Sequence, residues 1–169
     1  LRIGKVGKIL DIGAGTGLFL TKLQKLGWDV FGIELSKEAC DFAKKTYGIK
    51  LENGDFLEKK FTKNRFDVVT FNGCLEHLHK PQETLKKVYK VLNGKGILEV
   101  TVPNFDGMGR RIFGRSWYAL QSPTHLYHFT PKTLSSMLRK SGFKKIKIKH
   151  SYWMHNYYII FESIRMLFS

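Results

Sequence analysis

The feature that most constrains this chain is a run near its start, Ile9-Leu10-Asp11-Ile12-Gly13-Ala14-Gly15-Thr16-Gly17. It joins an apolar stretch, Lys8 to Ile12, to Leu18, Leu20, Leu23 and Leu26 at helical spacing, with Gly27 closing the helix. A strand, a glycine turn and a helix in that order give the glycines a meaning that an isolated glycine lacks. Without Cβ atoms the chain turns sharply and lets a ligand lie on the backbone. An ordinary β-α turn needs one such residue. Gly13, Gly15 and Gly17 at alternate positions point to a ligand cradle.

The rest of the chain repeats the alternation. Trp28 to Glu34 reads as a second strand, and Ser36 as the N-cap of a helix to about Tyr47, with Glu38 in its first turn. Ile49 to Glu52 reads as a short third strand and Phe66 to Phe71 as a fourth, apolar on both faces. Pro81 opens a helix carrying Leu85, Val88 and Leu92, stopped by Asn93-Gly94, and Gly96 to Val102 is a fifth strand. Residues from Pro103 to Thr130 are irregular, aromatic and basic. Thr130-Pro131 then caps a helix to Lys140, Gly142 ends it, and Phe143 to Lys149 alternates as a sixth strand. Tyr157, Ile160, Ile164 and Leu167 suit a last helix, although Tyr157 to Phe161 also has strand composition. The pattern predicts an α/β fold, a Rossmann-like, doubly wound, mostly parallel sheet. Ligands of such sheets bind beyond the carboxyl ends of the strands. At 169 residues the chain predicts one domain over 1–169, with an insert at about 103–130 that shapes an acceptor site.

Which ligand the loop holds follows from spacing and charge. A dinucleotide fingerprint is Gly-x-Gly-x-x-Gly; here the third glycine comes one residue early and Leu18 stands in its place. Asp11 puts a carboxylate beside the site, which repels a pyrophosphate and suits an ammonium. S-adenosylmethionine (SAM) carries an ammonium and a sulfonium and no phosphate. Glu34, with Leu35 after it, closes the second strand, where an acid takes both ribose hydroxyls. Asn53-Gly54-Asp55-Phe56 follows the third strand, with Asp55 placed to accept from an adenine amino group and Phe56 to pack on the ring.

In these residues the chain resembles the class I SAM-dependent methyltransferases, over nearly its whole length. Asp11 through Gly17 look like the family's first motif, Glu34 like its ribose acid and Asp55 like its adenine acid. Phe66-Asp67-Val68-Val69 and Asn72 through His77 look like its fourth strand and following loop, and Lys95-Gly96-Ile97-Leu98 like its fifth strand. Thr124 through Thr130, on to Gly142-Phe143, is similar to a broad bacterial small-molecule subgroup. The resemblance implies SAM as methyl donor, S-adenosylhomocysteine as product, and Asp11, Gly13, Ala14, Gly15, Gly17, Glu34, Leu35, Asp55, Phe56, Asn72 and Gly73 as the cofactor set. The family's helix before the first strand is absent from this sequence, and its seventh strand is not evident.

Methyl transfer is an in-line attack on an activated methyl, so the protein chiefly positions the acceptor. A base near neutral pKa helps when the acceptor is a hydroxyl. His77, His125 and His128 are the candidates. Some quinone-pathway O-methyltransferases that resemble this chain hold a metal with a Glu three residues before a Glu-His pair. Here that position is Gly73, and His77-x-His79 is a poor pair of ligands on a helix. No metal is expected.

The net charge of +15 raises a nucleic-acid partner. It comes from 22 Lys and only 7 Arg, scattered along the chain, which reads as solvated surface. The fourth strand is followed neither by the Pro-Pro-aromatic tetrapeptide of amino-group base methylases nor by a Pro-Cys nucleophile. A small-molecule acceptor, methylated on oxygen, is therefore the leading expectation. The alternatives are a nucleic-acid methyltransferase and a SAM-binding module without catalysis. An NAD-dependent oxidoreductase fails on glycine spacing. Cys40 and Cys74 make no pair or zinc spacing. No stretch reaches the length of a membrane span and no secretion signal is visible, which predicts a cytoplasmic protein. The pattern says nothing of oligomeric state.

Overall fold

The computed structural model describes residues 6–63 and 65–150. The contacts gather into two compact units. One takes in residues up to Leu75 together with Lys80–Thr101; the other takes Glu76–His79 together with residues from Val102 onward.

The first unit is built on five strands: β1 (Lys8–Ile12), β2 (Asp29–Glu34), β3 (Glu52–Asn53), β4 (Phe66–Asn72) and β5 (Leu92–Thr101). They pair in the order β3-β2-β1-β4-β5, every pair parallel. The central strands carry the most apolar runs because they are covered on both faces; Ile9, Leu10, Val69 and Phe71 are fully buried. Between the strands lie α1 (Leu18–Lys25), α2 (Lys37–Tyr47) and α3 (Pro81–Val91).

The helix ends obey local chemistry. Ser36 Oγ accepts from the Ala39 amide at 3.0 Å, and Gly48 takes φ 69° where α2 stops. Pro81 occupies the first turn of α3. Helix α1 lays Leu20 and Leu23 into a core shared with Cys40, Ala43, Ile49 and Leu51. Gly32 on β2 makes that approach close: a Cβ there would meet Leu51 Cδ2 at 2.5 Å and Leu20 Cδ1 at 2.6 Å. Emptying the Leu20 site would cost about 2–5 kcal/mol.

Three boundaries differ from the sequence pattern. The third strand is Glu52–Asn53, not Ile49 to Glu52. Ile49 and Leu51 are buried in the α1–α2 core, and the ladder to β2 begins only at the Ile33–Glu52 pair. The fifth strand starts at Leu92 and absorbs Asn93-Gly94 as an irregularity, pairing Phe66 with Leu92 and then Val68 with Ile97. The side chain of Asn93 donates to Asp67 Oδ1 at 2.6 Å instead of turning the chain. The expected sixth strand, Phe143 to Lys149, is not a strand. Alternation makes a strand only beside a free ladder edge. The expected helix from Tyr157 to Phe168 lies outside the described residues.

In the second unit the stretch read as irregular contains α4 (Met108–Phe113) and two 3₁₀ turns, Gly114–Ser116 and Tyr118–Leu120. Phe113, Trp117 and Ala119 form a small core with Phe105 and Leu120 against it. The amide of Phe105 donates to Phe129 O at 2.8 Å, next to α5 (Pro131–Lys140), whose N-terminus is a reciprocal Thr130–Thr133 capping box. Among the described residues no helix is long and apolar enough to cross a membrane.

Candidate active site

The ends of β1, β2, β3 and β4 bring most of the expected cofactor set into the first unit. The loop after β1 is held by β2: the Gly13 and Ala14 amides donate to Ile33 O at 2.9 and 3.0 Å. Its three glycines have left-handed φ values of 75°, 53° and 76°, for different reasons. A Cβ on Gly13 would lie 2.5 Å from Cys74 Sγ, and one on Gly17 would lie 3.2 Å from the Ala43 Cβ. Both are packing glycines. A Cβ on Gly15 would meet nothing within 4 Å. Gly15 alone leaves open space over its backbone, the room that a ligand resting on the loop requires.

Asp11 lies beneath this loop, 2% exposed. Its Oδ1 accepts from the Thr70 hydroxyl at 2.6 Å and the Asn72 amide at 3.3 Å. Burial pushes its carboxyl up to about 6, with the charge of Glu34 adding to the rise and the two hydrogen bonds opposing it. Thr70 and Asn72 are neutral donors, so they bring no opposite charge of the kind that a buried carboxylate ordinarily has.

Glu34 accepts the Gly15 amide on Oε2 at 2.8 Å and the Ser36 amide on Oε1 at 2.9 Å. Each oxygen keeps a second lone pair. Beside it Leu35 is an apolar side chain 68% exposed. The Asn53 side-chain amide donates to Glu34 O and Leu35 O at 3.0 and 2.8 Å, tying the β3 turn to the end of β2. Asp55 is exposed and accepts the Leu57 amide on Oδ1 at 2.7 Å. Phe56 departs from expectation: it is 3% exposed, packed on Phe61 with the Lys87 ammonium over its ring. It anchors the turn from inside and presents no free face to a ligand ring.

Sequence reasoning missed three contributors. Thr70, a hydroxyl inside an apolar strand, was the one with a legible signal. Gly32 opens the β2 face for packing. Lys87 donates to Phe56 O, Leu57 O and Lys59 O at 2.5, 2.9 and 2.5 Å, and so fixes the turn that carries Asp55. A lysine on a helix otherwise reads as solvated. A cavity of about 340 Å³ in the first unit, lined by Phe31, Lys59, Phe61 and Arg65 among others, contains no residue of the glycine loop. The site is therefore assigned from the loop and not from cavity size.

The three candidate histidines all belong to the second unit. His77 and His125 meet edge to face with centroids 4.6 Å apart, and His128 lies 6.4 Å from His125, stacked on Phe105. His77 Nδ1 is 2.9 Å from Thr124 O, and His125 Nδ1 is 2.9 Å from Ala119 O. His77 and His128 are exposed, and His125 is buried, which lowers its pKa. Beside them Glu76 is 2% exposed, and burial raises its pKa.

Residues 1–148 match the family described as methyltransferase domain. A demethylmenaquinone methyltransferase of Lactobacillus johnsonii is 29% identical over 169 residues, covering 82% of this chain and 68% of that protein. A ubiquinone biosynthesis O-methyltransferase of Actinobacillus pleuropneumoniae is 29% identical over 101 residues, covering 54% of this chain and 43% of its own length. The chain thus spans between about two fifths and two thirds of these relatives. A crystal structure of a SAM-dependent methyltransferase from Thermotoga maritima, described as a possible histamine N-methyltransferase, superposes with a TM-score of 0.70. It is 23% identical and covers 85% of this chain and 67% of that one.

Proposed function

As a member of the methyltransferase domain family, this chain is a SAM-dependent methyltransferase, and we propose that it methylates a small-molecule acceptor on an oxygen atom. Bound SAM supplies a methyl group already activated by its sulfonium. What remains for the chain is to hold, orient and take up a proton. In this reading Gly15 is the open floor of the cofactor site, Glu34 accepts from the ribose hydroxyls and Asp55 from the adenine amino group. Leu35 gives the adenine an apolar edge. Asn72 donates to Asp11, whose carboxylate supplies the charge for the ammonium, and Gly73 follows Asn72 in the loop after β4. Asp11 carries the assignment: a buried carboxylate between two neutral donors, with its proton affinity raised, is most stabilised by a cationic ligand.

The oxygen acceptor is supported by His128, an exposed imidazole of the kind that takes a hydroxyl proton, and by a relative named as an O-methyltransferase. Other relatives carry names that specify no atom, so the test must discriminate. Purified protein is given SAM with catechol or aniline, and the product is identified by mass. Methylation of catechol oxygen with aniline untouched is the expected result. Methylated aniline alone would replace the oxygen reading. SAM binding without methylation of either probe would favour a binding module.

A further inference from the structure

Glu76, His77 and His125 come together within the second unit in a way their sequence positions do not announce. Glu76 and His77 lie on the 3₁₀ turn Leu75–His77, while His125 arrives from a distant loop. That loop is held to the turn by its own backbone: the Leu126 and Tyr127 amides donate to Glu76 O at 2.9 and 3.1 Å. One potential ligand atom from each of the three residues lies within 4.8 Å of the other two. We propose that they form a binding site for one divalent transition-metal ion of the zinc class.

The first argument is an unmet oxygen. Glu76 is 2% exposed, and its Oε2 is buried without a hydrogen-bond partner. Leaving a buried acceptor unsatisfied is costly, more so for a carboxylate, and a cation at that oxygen removes the cost. The second is the tautomer of the two rings. A carbonyl oxygen can only accept, so the nitrogens facing Thr124 O and Ala119 O must carry the protons. In the neutral ring each Nε2 then carries a bare lone pair, the form in which imidazole binds metal. An Nδ1–H anchored on a carbonyl is the usual support behind a ligating histidine.

The donor set selects the ion. Two imidazoles and one carboxylate suit zinc or another transition metal with open positions, and are a poor match for the all-oxygen sites of magnesium and calcium. Bonds of about 2.1 Å in tetrahedral array put ligand atoms about 3.4 Å apart. Ligand atoms within 4.8 Å of one another then draw together by at most about 1.4 Å around the ion. With a net charge of +15 the chain as a whole repels cations, so stoichiometric uptake requires a built site. An open position would take water.

The test uses tag-free protein, stripped with a chelator and titrated with zinc chloride by calorimetry, with cobalt(II) absorption as a second readout. One equivalent should bind, with tetrahedral cobalt bands in the visible. Glu76→Gln and His77→Ala should each weaken binding roughly tenfold or more, and His79→Ala should leave it unchanged. His77 is exposed, so its variant stays informative even if Glu76→Gln misfolds. Sub-stoichiometric uptake, or tight binding indifferent to His77→Ala, would overturn the site. Binding with the expected variant pattern sustains it whether or not catechol is methylated.

Discussion

Glu34 and Gly15 are 19 residues apart in sequence and joined by a hydrogen bond of 2.8 Å from the Gly15 amide to the Glu34 carboxylate. The residue read as a ribose acid is thus also the brace of the glycine loop, and Ser36 steadies its other oxygen at 2.9 Å. Losing a charged acceptor from a backbone amide costs about 1–3 kcal/mol. Glu34→Ala should therefore do two things at once. SAM affinity should fall by about 1–3 kcal/mol by calorimetry, and the ligand-free protein should lose a similar amount of stability in urea unfolding. A variant with both quantities unchanged would remove Glu34 from the site.

The loop glycines make a sharper contrast. Gly13→Ala puts a methyl 2.5 Å from Cys74 Sγ at φ 75°, so its damage should appear as lost folding stability, partly relieved by Cys74→Gly. Gly15→Ala meets no neighbour within 4 Å and bears only the strain of its positive φ, about 1–2 kcal/mol. It should fold and fail to bind SAM, because its methyl occupies the cradle. Retention of wild-type SAM affinity by folded Gly15→Ala would refute the assignment of that floor.

Much of this was legible from residue order. The strand, glycine turn and helix around Asp11 to Gly17 announced the topology, because each local signal agreed with the parallel sheet that the others required. Ser36, Pro81 and Thr130 marked helix starts through chemistry confined to one turn. What failed depended on partners distant in sequence. Phe143 to Lys149 has the alternation of a strand, yet a strand exists only with an adjoining ladder. Phe56 has the composition of a stacking residue, but Phe61 and Lys87 claim its faces. Glu76 and His125 are 49 residues apart, and no spacing rule pairs them.

Asp11 makes the ligand-free protein sensitive to pH. Its folded pKa of about 6 lies above the ordinary 3.8, so the folded state holds its proton more tightly than the unfolded chain. The cost of ionising it is absent below pH 3.8, grows through the interval, and is complete above about 6. Its size is on the order of 3 kcal/mol. Stability measured by urea unfolding should fall from pH 4 to 7 through this group, and Asp11→Asn should flatten that part of the profile. A cationic ligand favours the ionised form, so SAM binding near pH 6 should release protons, seen as a dependence of calorimetric heat on buffer ionisation enthalpy. Proton uptake instead would mean that the ligand cation is not at Asp11.

Trp117 and His128 separate packing from chemistry in the second unit. Both stand in the aromatic, basic stretch from which an acceptor wall was expected, and their surroundings now assign them different work. Trp117 is 6% exposed in a core with Phe113 and Ala119, and a Cβ on Gly109 would lie 2.8 Å from its Nε1. Trp117→Ala should cost about 3–5 kcal/mol of stability, so any loss of turnover in it follows from unfolding and says little about an acceptor. His128 is exposed, stacked on Phe105 at 5.2 Å and edge-on to His125 at 6.4 Å, so His128→Ala should leave the fold intact. If it serves the acceptor, the variant should lower kcat or raise the acceptor KM while SAM affinity stays within about twofold, since the interaction removed is not one the cofactor makes. Steady-state kinetics with the acceptor found in the catechol assay, alongside SAM calorimetry on the same preparation, measures both. Unchanged kcat and KM would take His128 out of the chemistry.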